Sequence, residues 1–156
     1  MLSSCKHLSD LTESLLLLKG HLESATLAKA VSLFRDLSAD RTQDVLLHGD
    51  LHHDNILNSD SSWKVIDPHG YIGDPAAEVG VMIRNPIDCF PTDKPLKKII
   101  ERRLKILSEM LPFDPKKIQA WAFCLTILSA AWDFEGYGRI PKETIKIALV
   151  VDKIVF

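Results

Sequence analysis

Fifteen consecutive residues, IQAWAFCLTILSAAW at 118–132, carry no charge, and this run constrains the chain more than any other stretch. It is short for a membrane span, which needs about 20 apolar residues, and Gln119, Thr126 and Ser129 interrupt it. It suits a buried helix instead. Asp114 and Pro115 supply the N-cap and first-turn pair for its start, and the helix is expected to run to about residue 134, where the GYG of 136–138 breaks it. Trp121, Phe123 and Trp132 read as core on a helix this apolar.

Other segments follow from periodicity. Ser9 is expected to cap a short helix over 10–19 that stops at Gly20. Leu27, Ala30, Val31, Phe34 and Leu37 recur at helical spacing, which predicts an amphipathic helix over 22–38. Between 44 and 67 the pattern changes to short β-type runs, VLL, NIL and WKVI, divided by the polar turn NSDSS. Leu96, Ile99, Ile100, Leu104, Leu107 and Leu111 predict a further amphipathic helix ended by Pro112, and Pro141 opens a last one. The expected fold is mainly α with a small β-hairpin element, and 156 residues are about one domain, 1–156.

With 46% hydrophobic and 26% charged residues the chain reads as soluble and globular, and a net charge of -2 gives no footprint for nucleic acid. Cys5, Cys89 and Cys124 form no metal-like pair, and an odd thiol fits a reducing cytoplasm. The first ten residues carry no long apolar core and so do not resemble a secretory signal.

Charge is unevenly spread. Residues 44–78 hold seven acids against one base, Lys64, whereas 94–117 hold eight bases against three acids and read as a solvated helix face. Within the acidic part, HGDLHHDNIL at 48–57 packs three histidines, two aspartates and an asparagine together. A zinc cage is disfavoured there, because His52 and His53 are adjacent and in an extended chain point opposite ways. Asp50 is followed by Asn55 and then by Asp67 at the end of the run WKVI. Phosphoryl transfer from a nucleotide needs a carboxylate to orient the attacking hydroxyl, an amide oxygen on Mg²⁺, and a second carboxylate on the metal. His48, Asp50, Asn55 and Asp67 supply these in the order of a kinase catalytic loop.

The motifs LLHGDLHHDNIL, VIDPHG and IGDPAAEVGVMIRNP, within 46–86, resemble those of the aminoglycoside phosphotransferase family, of the streptomycin 6-kinase and hydroxyurea phosphotransferase type, in the wider protein-kinase-like group. The resemblance implies a protein-kinase-like C-terminal lobe, ATP and Mg²⁺ as cofactors, and a small hydroxylated, cationic acceptor. It implies Asp50 as the catalytic aspartate, His48 as the histidine that buttresses the loop, and Asn55 and Asp67 as magnesium ligands. His69 stands where relatives often carry lysine, and Ala77 where an aromatic residue is common. Asp74 and Glu78 are expected in supporting roles, opening the GDP turn and anchoring the loop from the following helix. His52 and His53 read equally as surface residues and as acceptor contacts. Asp133 and Glu135 are candidates for binding an acceptor cation or are simply solvent-exposed at a helix end.

Such kinases place a nucleotide lobe before the catalytic loop, with a glycine-rich phosphate cover and a strand lysine. Here 47 residues precede His48, with Gly20 their sole glycine, so the N-terminal nucleotide lobe is expected to be absent. Its contact surface should then be partly apolar, which makes a homodimer a reasonable partner state. Two readings follow. One is the catalytic lobe of a phosphotransferase, inactive by itself; the other is a non-catalytic binding or regulatory remnant of that family.

Overall fold

The structure, a computed structural model, describes residues 5–86, 90 and 95–155. Cys89 and Lys94, read above as one of the thiols and as part of the basic stretch, lie outside the described residues. In chain order the helices are α1 (Thr12–Leu15), α2 (Ser24–Ala39), α3 (Ala76–Arg84), α4 (Leu96–Met110), α5 (Pro115–Tyr137) and α6 (Lys142–Asp152). The strands are β1 (Val45–Leu47), β2 (Ile56–Ser59), β3 (Ser62–Val65) and β4 (Tyr71–Gly73). Two antiparallel two-stranded sheets result, β1 with β4 and the β2–β3 hairpin.

The uncharged run lies inside α5, whose residues 121–128 are all buried. A helix apolar on all sides belongs at the centre of a helical layer, and α5 packs against α1, α2, α3, α4 and α6. Asp114 caps it as expected, its carboxylate accepting the Lys116 N–H at 2.9 Å with Pro115 in the first turn. Trp121 and Phe123 are core, Trp121 meeting Phe34 of α2 edge-on at 5.4 Å, while Trp132 is half-buried against the same cluster. The helix passes the expected end at 134: Gly136 is helical, and Gly138 alone terminates it at φ +65, its N–H donating to the Phe134 carbonyl at 2.8 Å. Only that residue needs the left-handed conformation that glycine adopts without strain.

α3 comes against α5 with almost no gap. A Cβ on Gly80 would lie 2.9 Å from the Ala122 backbone nitrogen, so a side chain there would force the two helices apart. This contact positions α3, and α3 in turn holds the loop between the two sheets. Along α4 the pairs Lys97–Glu101 (3.5 Å) and Lys105–Glu109 (3.9 Å) are exposed, in keeping with a solvated basic face. Arg103 turns inward and donates to the carbonyls of Ile83 (2.9 Å) and Asn85 (2.8 Å), fixing the end of α3.

Two expectations change. The first helix is not a single element over 10–19: a 3-10 turn at Leu8–Leu11, α1, and a second 3-10 turn at Leu16–Leu18 replace it. Its cap is His7 and not Ser9. His7 Nδ1 accepts the Ser9 N–H at 3.0 Å, Asp10 accepts the His7 N–H at 3.0 Å, and His7 Nε2 is held 2.7 Å from Asp44, so a partner 37 residues away sets the start. The β element is also larger than one hairpin, because β4 pairs with β1 in the register Leu46↔Ile72.

Candidate active site

The segment 48–55 runs between the two sheets. Gly49 holds φ +84, and a Cβ there would sit 2.6 Å from the Tyr71 ring, so both conformation and space require glycine. The His48 carbonyl accepts the N–H groups of His69 (2.8 Å) and Gly70 (3.2 Å). The His48 ring spans the turn: Nε2 lies 2.8 Å from the Ile66 carbonyl and Nδ1 accepts the Asp50 N–H at 3.3 Å. That pattern suits a neutral ring protonated at Nε2, which buttresses the loop.

Asn55 closes the same turn. Its Nδ2 donates to the Asp50 carbonyl at 2.9 Å, which leaves the amide oxygen free, and its own carbonyl accepts the Ile66 N–H at 3.0 Å. Ile66 is thus bonded through its N–H to Asn55 and through its carbonyl to His48. Exposed Asp67 follows directly, in the left-handed region at φ +58, a conformation that aspartate tolerates better than most residues. One set of hydrogen bonds therefore joins the His48 ring, both sides of Asp50 and the backbone leading into Asp67. An amide oxygen and a carboxylate are hard oxygen donors of the kind Mg²⁺ takes, so these residues fit the ion.

Behind the loop stands α3. Glu78 Oε1 accepts the Gly49 N–H at 3.0 Å, which is the anchoring contact expected of it. Arg84, with a side chain only 12% exposed, reaches to 3.7 Å from Asp50 Oδ1. Burial pushes its pKa down, while the charges of Asp50 and Asp133 oppose that shift. Glu78 Oε2 and Arg84 Nε are buried with no hydrogen-bond partner among the described residues. Arg84 escaped the sequence reading, although the signal was present: it is the sole base between Lys64 and Lys94, at the end of an apolar run. Asp133 is half-buried and its charge bears on Arg84, whereas Glu135 is exposed and, two residues on, lies about 200° around the helix. Both sit in the last turns of α5, which runs on through Gly136.

Asp74 does more than open a turn. At 5% exposure it accepts the Ala76 N–H (3.0 Å) at the start of α3 and Trp121 Nε1–H (3.0 Å) from α5, and it pairs with Lys117 Nζ at 2.6 Å. It fixes the site's supporting helix to the core.

His52 and His53 do not diverge as an extended chain would have them. A 3-10 turn at His53–Asn55 brings their ring centroids to 5.7 Å. His52 Nε2 lies 3.3 Å from Asp50 Oδ2, and its Nδ1 lies 3.6 Å from Asp54 Oδ2. His53 Nε2 is 3.3 Å from Asp54 Oδ1.

The model of a family described as aminoglycoside/hydroxyurea antibiotic resistance kinase matches residues 18–136. The chain is 38% identical over 134 residues to streptomycin 3''-kinase of Klebsiella pneumoniae, covering 83% of this chain and 50% of that protein. It is 29% identical over 107 residues to streptomycin 6-kinase of Streptomyces glaucescens, covering 67% of this chain and 35% of that one. It thus spans half or less of the length of these relatives. No solved structure matches.

Proposed function

From a chain that belongs to the aminoglycoside/hydroxyurea antibiotic resistance kinase family, we propose the catalytic, protein-kinase-like C-terminal lobe of an ATP-dependent small-molecule phosphotransferase. The acceptor is a hydroxyl of an aminoglycoside-type, streptomycin-like or hydroxyurea-like molecule. The observation that carries this reading is the single hydrogen-bonded unit of His48, Asp50, Asn55 and the backbone entering Asp67.

In this reading Asp50 orients the acceptor hydroxyl and takes its proton as the oxygen bonds to the γ-phosphorus and the bond to the β-phosphate oxygen breaks, releasing ADP. The Asn55 amide oxygen and the Asp67 carboxylate would hold Mg²⁺, which would supply charge neutralisation at the phosphates. His48 holds the turn, Glu78 pins Gly49, and Arg84 fixes the Asp50 carboxylate from behind. Asp133 and Glu135 offer negative charge to an acceptor cation, and His52 lines the same entrance.

A nucleotide lobe completes the enzyme. Val45, Leu46, Leu57 and Val65 on the two small sheets, with Ile66 just after β3, are exposed apolar side chains, and they form the surface that such a lobe covers. Uncovered, that surface would favour a homodimer, and a C-terminal lobe alone would turn over poorly, because positioning is shared between the two lobes. ATP supply places the reaction in the cytoplasm. Among the described residues no helix is long and apolar enough to cross a membrane.

Paramagnetic Mn²⁺ with ATP, titrated into the ¹⁵N-labelled chain, tests the assignment. Broadening should centre on Asn55 and Asp67, weaken in Asp67→Asn and persist in Asp50→Asn. Broadening centred elsewhere would remove the metal roles and the reading with them.

A further inference from the structure

The reason for discounting a transition-metal site, that adjacent histidines point apart, does not hold in the folded chain. Among the described residues, His52, His53 and Asp54 are the one group of three whose ligand atoms all lie within 4.8 Å of one another. The 3-10 turn produces this by folding the backbone back between His52 and Asn55, whose N–H donates to the His52 carbonyl at 3.0 Å.

We propose that His52, His53 and Asp54 form a binding site for a borderline dication of the Zn²⁺, Ni²⁺ and Cu²⁺ class. Two imidazoles and one carboxylate match the ligand preference of these ions, which differs from that of Mg²⁺. Three protein ligands leave the remaining positions to water, and the exposure of His53 (46%) and Asp54 (73%) gives the ion an entry path.

A second observation points the same way. Metal-bound histidines usually donate their other ring N–H to a carboxylate, which fixes the tautomer and raises ligand basicity. His52 places both ring nitrogens near such groups: Nε2 lies 3.3 Å from Asp50 Oδ2 and 3.5 Å from Asn55 Nδ2, and Nδ1 accepts the Asp54 N–H at a long 3.4 Å with Asp54 Oδ2 3.6 Å away. An ion on Nδ1 would have that one long contact to displace.

The test uses the untagged chain in a Cys5→Ser, Cys89→Ser background, which leaves the buried Cys124 as the sole thiol. Calorimetric titration with ZnCl₂ should show one saturable site that survives millimolar MgCl₂, and His53→Ala should weaken it at least about tenfold, a loss within the range for removing even a supporting group. His53 is exposed, so the variant keeps the fold. Imidazole ¹⁵N spectra should show Zn²⁺ perturbing His52 and His53 and sparing His7 and His21. Unchanged affinity in His53→Ala, or perturbation centred on another histidine, would overturn the site.

Discussion

Asp74→Ala removes the carboxylate that ties the start of α3 to α5, and its cost can be worked contact by contact. Trp121 is fully buried, so its Nε1–H, now 3.0 Å from Asp74, would be left without an acceptor, which costs about 1–3 kcal/mol. Loss of the bond to the Ala76 N–H at the helix start costs about 1 kcal/mol. Lys117 is over a third exposed, so the lost ion pair adds at most about 1 kcal/mol. A destabilisation of about 2–5 kcal/mol follows, read as a lower urea midpoint at unchanged slope and a fall in Tm of about 4–20 °C for a chain of this length. The orphaned indole N–H makes the reasoning testable beyond its size. Trp121→Phe deletes that donor, so Asp74→Ala should cost about 1–3 kcal/mol less in the Trp121→Phe background than in the parent. Additive effects in the double-mutant cycle would refute the account, whatever the single-mutant values.

In a chimera carrying the N-terminal half of the Klebsiella streptomycin 3''-kinase, Asp50→Asn should abolish phosphoryl transfer and leave ATP affinity nearly intact, while Asp67→Asn weakens Mg²⁺-dependent ATP binding; steady-state and binding assays would expose reversed roles. In the same chimera, neutralising Asp133 and Glu135 should raise KM for a cationic acceptor with little change in KM for ATP, and the rise should shrink at high salt. Gly80→Ala should destabilise by about 1–3 kcal/mol in urea, since its Cβ meets backbone of α5 and not a movable side chain. Burial pushes the Cys124 thiol well above its ordinary value; because the folded state resists ionisation there, stability should be intact below about pH 8.5 and fall above it by at most about 1.4 kcal/mol per pH unit. Cys124→Ala should flatten that part of the urea-midpoint profile.

What the sequence disclosed was local. Asp50 and Asn55 lie in one turn, and their spacing alone was enough to place them together. The cap Asp114–Pro115 and the α2 stripe of Leu27, Ala30 and Phe34 were legible for the same reason. Features fixed by distant partners were not. Arg84 gains its meaning from Asp50 and Asp133 on other elements, and His7 becomes a cap because Asp44 holds its ring. β4 has three residues, too few for a period of two to declare itself, and it exists because β1 offers it a ladder. His52 and His53 were misjudged for a related reason: an extended backbone was assumed where the chain makes a 3-10 turn.

The bond between Asp74 and Trp121 spans 47 residues, and the acceptor is made first. At synthesis rates of about 5–20 residues per second, Asp74 leaves the ribosome about 2–9 seconds before Trp121. During that interval the nascent loop carries its acidic side chains without a scaffold, and the exposed apolar strands beside it are open to chaperones. The order of translation thus leaves the loop that carries Asp50 to wait for its anchor.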